Sequence, residues 1–437
     1  MRVPGSGHLL TGAAGALLLA LGAAWPAAQV RPPFPGTIDE HPAIQYETRP
    51  TTDAVARLDA RLAAGETRLA RDARMGFLPS VLSALEVPVE SQLLVFSKTG
   101  LQRAHTGPTS PRALYYGASV VVGYIPGAPA LELAAHDPTQ GVVFYTLDQD
   151  ATTAPRFRRR NECLTCHLSS VTADVPGLIV RSNMVGRDGS VMPRLGSFTV
   201  DHRTPHTERW GGWFVTGHAA MPPYGPLGHL GNLTVTPHPT AGPAILSNHV
   251  LIEWQNRPME NDPYPSSDSD LAALMTFDHQ MPGLNRITRL GWEARVALAE
   301  GRPLDSDPVV AEHLRALVDY FLFVGEAELA FEVTPRPGFA EALARRAPAD
   351  RSGRSLATLD LKTRLLRYPL SFLIYAEAFD ALPDAVRHGV YRRLFDVLSG
   401  RVRGPAYAHL TAADRRAIIG ILRETRPDLP SGLPTLR

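Results

Sequence analysis

Cys163-Leu164-Thr165-Cys166-His167 holds both cysteines of the 437-residue chain, and two thiols three positions apart followed by an imidazole form the pattern that attaches a c-type haem. Cysteines at this spacing share one face of a helical turn and can add to two vinyl groups on one porphyrin edge. The next residue then directs its imidazole at the iron. Three other chemistries pair cysteines: a thioredoxin-like redox couple, half of a zinc site and a structural disulfide. A thioredoxin motif follows a strand and opens a helix in a βαβ unit, whereas Arg158-Arg159-Arg160-Asn161-Glu162 precedes this one and no such unit surrounds it. Zinc needs four ligands, and there is no second cysteine pair. The expectation is one covalently attached haem c, bound by Cys163 and Cys166, with His167 as proximal iron ligand.

A carrier haem needs a sixth ligand, commonly Met or a second His. Met221, in Ala220-Met221-Pro222-Pro223, follows His167 at an interval broadly like that of small class I cytochromes c; Met192-Pro193 is nearer and Met281-Pro282 farther. His202, His206, His218, His229 and His279 compete for the role. Met221 and His229 stand as the distal candidates, with an open five-coordinate iron as a third reading. Trp210 and Trp213 could pack on a porphyrin, and Arg181, Arg203 and Arg209 could hold propionates as bidentate donors. Core packing and surface solvation are the ordinary uses of such residues. Because these groups concentrate in 180–235 in aperiodic sequence, that stretch is expected to close over the haem.

The elements that must position this site divide the chain. Residues 1–28 read as a secretory signal, with Arg2 ahead of the uncharged apolar run Leu9 to Ala28 and cleavage expected between Trp25 and Val30. Retained as an anchor, the run is long enough to span a bilayer, which is the only membrane association expected. Export to the periplasm or beyond, in a bacterium, agrees with where covalent haem is assembled. Residues 29–52, rich in Pro, suit an extended tether. Residues 53–150 hold one helix and then a β-rich segment, with strand-like runs at Leu93 to Phe96, Ala113 to Tyr116, Ser119 to Tyr124, Leu131 to Ala134 and Val142 to Tyr145. Residues 151–265 form the haem-binding segment, read as long ordered loops around short strands. Residues 266–437 form a helical domain, with helices expected at 269–280, 285–300, 308–330, 338–346, 360–380, 384–399 and 411–425. The fold class expected is α+β: a β-rich N-terminal half leading into a cytochrome c-type haem site, followed by a mainly α-helical C-terminal half.

Composition, 44% hydrophobic and 20% charged, is that of a globular protein. A net charge of +1 gives no general attraction to nucleic acid. Lys98 and Lys362 are the only lysines, so nearly all basic charge is arginine.

The chain resembles a family of large exported bacterial monohaem c-type cytochromes with a single C-x-x-C-H. The likeness rests on Phe144 to Leu147, Cys163 to His167, Val175 to Ser182, Asp201 to Pro205, Arg209 to Trp213, His229 to Asn232, Asp278 to Gln280 and Tyr368 to Ser371. The resemblance implies a haem protein of one architecture and supplies no substrate; it favours His229 over Met221 as part of the family pattern. A simple carrier needs about a hundred residues. The excess here builds either a surface for a redox partner protein or a substrate pocket. Electron transfer is the leading expectation; a haem-dependent oxidoreductase of peroxidase or oxygenase type with an open distal site is the alternative, and a haem-based sensor a further one.

Overall fold

The run Val142-Val143-Phe144-Tyr145 lacks the alternation of a half-buried strand because both faces of its sheet are covered: Val143 and Tyr145 face one hydrophobic core, Val142 and Phe144 another. The computed structural model describes residues 37–149, 154–186, 188–215, 218–219, 263–329 and 332–434. Signal residues 1–28, Met221 and His229 lie outside the described residues. From Ile38 onward the chain makes one compact unit.

An antiparallel sheet holds β1 (Leu93–Val95), β2 (Arg112–Tyr116), β3 (Val120–Tyr124), β4 (Ala130–Asp137), β5 (Gly141–Asp148) and β6 (Arg158–Arg159) in consecutive order, with β9 (Trp213–Phe214) added beside β1. From β2 to β5 the consecutive antiparallel pairing follows from the short turns between the runs, whereas longer connections join β1 to β2 and β5 to β6. At the β4–β5 turn Asp137 Oδ1 accepts from the backbone N–H groups of Thr139 and Gln140, and Gly141 takes φ +85°, where a Cβ would also meet the Pro176 carbonyl at 2.8 Å. Strands β7 (Arg181–Asn183) and β8 (Ser197–Thr199) pair separately, as do β10 (His218–Ala219) and β11 (Val333–Thr334).

One face is covered by the N-terminal segment, α1 (Ala54–Ala63) and α2 (Leu78–Ala84). Asp53 caps α1, accepting from the Val55 and Ala56 N–H groups, and also accepts from the Tyr145 hydroxyl at 2.7 Å, which ties the helix to β5. Residues 38–52, expected within the extended tether, are instead packed here: Ile44 and Tyr46 are buried, and the Tyr46 hydroxyl donates to the Val142 carbonyl.

The other face packs on α4 (Leu271–Ala299), around which α5 (Pro308–Phe321), α6 (Phe339–Ala344), α7 (Glu377–Asp380), α8 (Asp384–Leu398) and α9 (Ala412–Thr425) gather. The β-rich first half and helical second half are the expected α+β arrangement. Three helical boundaries differ, the simplest being that the helix expected over 308–330 ends at Phe321, with Phe323 at φ +56°. Met281-Pro282-Gly283 reads as a break between two helices, yet α4 runs through it, because burial on nearly every side outweighs the ~3 kcal/mol an interior proline costs. Gly283 brings the helix close to Leu373, where a Cβ would lie 2.3 Å from Cδ1. The helix expected over 360–380 is confined to Phe372–Tyr375, a 3-10 turn, and α7. Asp360 Oδ1 accepts from the N–H groups of Lys362 and Thr363 and Leu361 takes φ +60°, so a turn replaces the helix before Pro369.

Candidate functional site

The backbone leading into the cysteines is fixed by the edge of the sheet. β6 pairs with Tyr145 and Thr146, and the Arg160 N–H donates to the Phe144 carbonyl at 2.8 Å. A 3-10 turn at Asn161–Cys163 then runs into α3 (Leu164–His167), a single turn closed by the Leu168 N–H to the Leu164 carbonyl. Cys163 and Cys166 are free thiols on this turn, Cys163 half-buried against the core and Cys166 exposed. Burial, helped by the carboxylates of Glu162 and Glu132, pushes the Cys163 thiol up to about 11. A thiol–disulfide catalyst needs the opposite shift, so the environment runs against the thioredoxin-like reading.

His167 is anchored from both its backbone and its ring. Its carbonyl accepts from the Gly177 N–H at 2.9 Å, and Nδ1 lies 2.9 Å from the Gly177 carbonyl. A carbonyl only accepts, so Nδ1 carries the proton and Nε2 carries the lone pair. Gly177 has to be glycine: a Cβ there would sit 2.3 Å from Asn285 Oδ1. Asn285, on α4, donates from Nδ2 to the Leu178 carbonyl at 2.8 Å, so the long helix holds the strand of chain that holds the imidazole. The ring leans on Phe144, with centroids 4.7 Å apart at 48°. Burial lowers the His167 pKa below its usual range, against the opposing bond to Gly177, and the Arg112 guanidinium adds to the lowering. Arg112 pairs with Glu132 at 3.5 Å, which also accepts from the Gln102 N–H.

Two free thiols on one turn beside an imidazole whose second nitrogen is already fixed by a carbonyl match what a c-type haem requires. Phe144, Gly177 and Asn285 had no assigned role in the sequence reading; the single available signal was the glycine after Pro176.

The aromatic and basic candidates sit elsewhere or have other partners. Arg181 is exposed at the start of β7 and donates to Ser197 Oγ, while Trp213 is buried and donates from Nε1 to the Arg181 carbonyl at 2.7 Å. Arg209 and Trp210 are buried together against α4: Trp210 Nε1 donates to Asp278 Oδ2 at 3.1 Å, and Arg209 Nη1 stands 3.6 Å from the same oxygen. Arg209 also donates to the carbonyls of Thr204 and His202. Burial pushes the Asp278 carboxyl up to about 7.

These residues belong to a second polar group that sequence clustering hinted at without showing its bonds. His202 Nδ1 lies 2.9 Å from His279 Nδ1, and His279 Nε2 lies 2.7 Å from Ser371 Oγ. His279 is stacked between Tyr320 (5.2 Å, 5°) and Phe323 (4.4 Å, 17°), and the Tyr320 hydroxyl donates to the His279 carbonyl. Burial lowers His279 to about 3 and His202 well below its ordinary value, so both rings are neutral. Among the described residues no helix is long and apolar enough to cross a membrane. Compared with protein-family models, curated proteins and solved structures, the chain matches none.

Proposed function

We propose that the chain is an exported c-type cytochrome that carries one haem on Cys163 and Cys166, takes His167 as proximal iron ligand and passes electrons to or from a redox partner protein. The bond between His167 Nδ1 and the Gly177 carbonyl carries this reading, because it leaves the Nε2 lone pair for a metal one residue beyond two free thiols. A bound haem supplies one-electron chemistry at its iron, with a potential set by the axial ligands and the burial around them.

The residues of the chain act by position. The turn holds the two thiols three positions apart, the Gly177 carbonyl fixes the tautomer of His167, and Phe144 supports its ring. Because burial lowers the His167 pKa, protons do not compete for Nε2 until the pH falls below the usual imidazole range. Met221 and His229 are the candidates that would supply a second iron ligand.

The test is to express the full chain in a bacterial host with the c-type haem maturation system. One haem's added mass on the denatured chain, not extracted by acidified acetone and lost when both cysteines are replaced, is the expected result. A chain recovered with no such mass overturns the proposal. Slow or absent carbon monoxide binding to the reduced protein as isolated supports the carrier; binding on mixing supports the peroxidase or oxygenase alternative.

A further inference from the structure

Beside the turn that carries Cys163, Cys166 and His167, the sheet face that packs on α4 is only half covered. Cross-strand register aligns Leu114, Gly123, Glu132 and Thr146, one row along from Tyr116, Val121, Ala134 and Phe144. Opposed residues share a face, as do residues two apart on one strand, so Arg112, Leu114 and Glu132 lie on the face from which Phe144 meets the His167 ring. Tyr116, Val121, Ala134 and Phe144 are buried, whereas Arg112, Leu114 and Glu132 are half-buried. Gly123 leaves the sheet bare between Leu114 and Glu132, although a Cβ there would find only ordinary contacts at 3.4 to 3.6 Å.

Two opposite charges stand in this opening, clamped by the chain between β1 and β2. Glu132 Oε1 accepts from the backbone N–H and from Nε2 of Gln102 at 3.0 and 3.1 Å, and Oε2 faces Arg112 Nη1 at 3.5 Å. Arg112 donates to the carbonyl and the hydroxyl of Thr99 at 3.3 and 3.4 Å. Gly100 takes φ +85° over the guanidinium, where a Cβ would strike Arg112 Nη1. The guanidinium is held without being saturated, since its buried Nε meets no partner among the described residues. The Glu132 carboxylate acts on both the Cys163 thiol and the His167 ring, and the Arg112 guanidinium acts on the His167 ring. A second pair, Arg160 and Glu162 at 3.3 Å, flanks Cys163 with side chains 38% and 54% exposed, so water screens it. The Arg112 and Glu132 side chains are 15% and 21% exposed, which leaves their fields far less screened.

We propose that Arg112 and Glu132 form a balanced charge pair that sets the reduction potential of an iron bound at His167, Arg112 favouring the reduced and Glu132 the oxidised state; this rests on the haem reading above. One electron received from the redox partner protein lowers the positive charge at the iron by one, so a nearby cation favours that step and a nearby anion opposes it. Held together by Gln102 and Thr99, the two charges largely cancel. Either one alone would not.

Spectroelectrochemical titration of the full-length, haem-loaded protein tests this with Arg112→Gln, Glu132→Gln and the double variant. Arg112→Gln leaves the carboxylate unpaired and should shift the ratio of oxidised to reduced haem at a fixed potential at least threefold toward oxidised, a midpoint lower by about 28 mV at about 59 mV per tenfold. Glu132→Gln should shift the ratio at least threefold the other way, and the double variant should return to within about twofold of the unmodified protein. Absorption bands should stay unchanged in all three; altered bands would assign the shifts to displaced ligation and overturn the proposal. Damage to the clamp alone would move both single variants in one direction. That result, or shifts below threefold in both, overturns the proposal and leaves the haem reading intact, whereas an unmodified chain without covalent haem removes the haem reading and the proposal with it. Should Arg112→Gln not accumulate, Glu132→Gln decides by its sign, a lowered or unmoved midpoint being the overturning result.

Discussion

The turn Asn161–His167 and the cluster around His279 hold their imidazoles in contrasting ways. His167 is half-buried, has one nitrogen fixed by a carbonyl ten positions along the chain and keeps the other for an outside partner, and the two thiols lie within four residues of it in sequence. His279 is fully buried, has both nitrogens bonded and sits between two aromatic rings, and its partners come from three separate stretches of chain. The first arrangement suits capture of a group that arrives after synthesis. The second is a closed network whose worth lies in being complete.

Removing the groups on each side should separate these roles. Replacing Cys163 and Cys166 together with serine should abolish covalent haem entirely while changing the denaturation midpoint of the polypeptide little; haem that stays on the denatured chain by mass spectrometry would break the comparison at its root. His279→Ala is expected to do the reverse. It leaves Ser371 and His202 unpaired in a new cavity, so a loss of about 3 kcal/mol or more in urea unfolding is expected, with haem still attached to whatever folds. A loss below about 1 kcal/mol would show that the network is not cooperative.

Gly177→Ala probes the link between the regions. Its Cβ would meet Asn285 Oδ1 at 2.3 Å, so a cost of about 1–3 kcal/mol is expected together with an altered absorption spectrum from a displaced His167. Asn285→Ala in the same chain should relieve part of the cost; additive losses in the double-mutant cycle would show that the two residues do not touch.

The smallest effect concerns pH. The folded pKa values of His202, His279 and His206 are depressed, so the stability they carry is present above about 6.5 and is lost as pH falls. The folded values of Asp278 and Glu326 are raised, so the stability they carry is present below their unfolded values and is lost as pH rises through about 7. The two slopes oppose each other between roughly pH 4.5 and 6.5. Glu326→Gln should therefore unmask the histidine slope, making stability climb with pH more steeply than in the unmodified chain by up to about 1.4 kcal/mol per unit. Parallel curves from chemical denaturation would remove Glu326 from the balance.

The legible parts of the molecule are those with short sequence range. Cys163, Cys166 and His167 are visible together because they fall within one pentapeptide, and the strands from Leu93 to Tyr145 announce themselves by β-branched and aromatic runs between turns. Gly177 and Asn285 do not, since their contact joins residues over a hundred positions apart. The clustering of His202, His206 and Arg209 was visible as composition, but Ser371, Tyr320 and Glu326 complete the group only through folding. Pro282 misled for a related reason: a local breaker is overruled when a helix is buried on nearly all sides, and nothing local reports that burial.

Asp278, His279 and Asn285 all project from α4, so the turn that carries Cys163, Cys166 and His167 and the histidine network hang on one rod. Seven residues along an α-helix are nearly two full turns, and inserting or deleting one residue turns everything beyond it by about 100°. Asn285 would then swing away from Leu178 while His279 kept its seat. For a lineage carrying this chain, the stretch from Asp278 to Asn285 is therefore free to change its letters sooner than its length, and an alignment gap there would mark the point where descendants had given up one of the two sites.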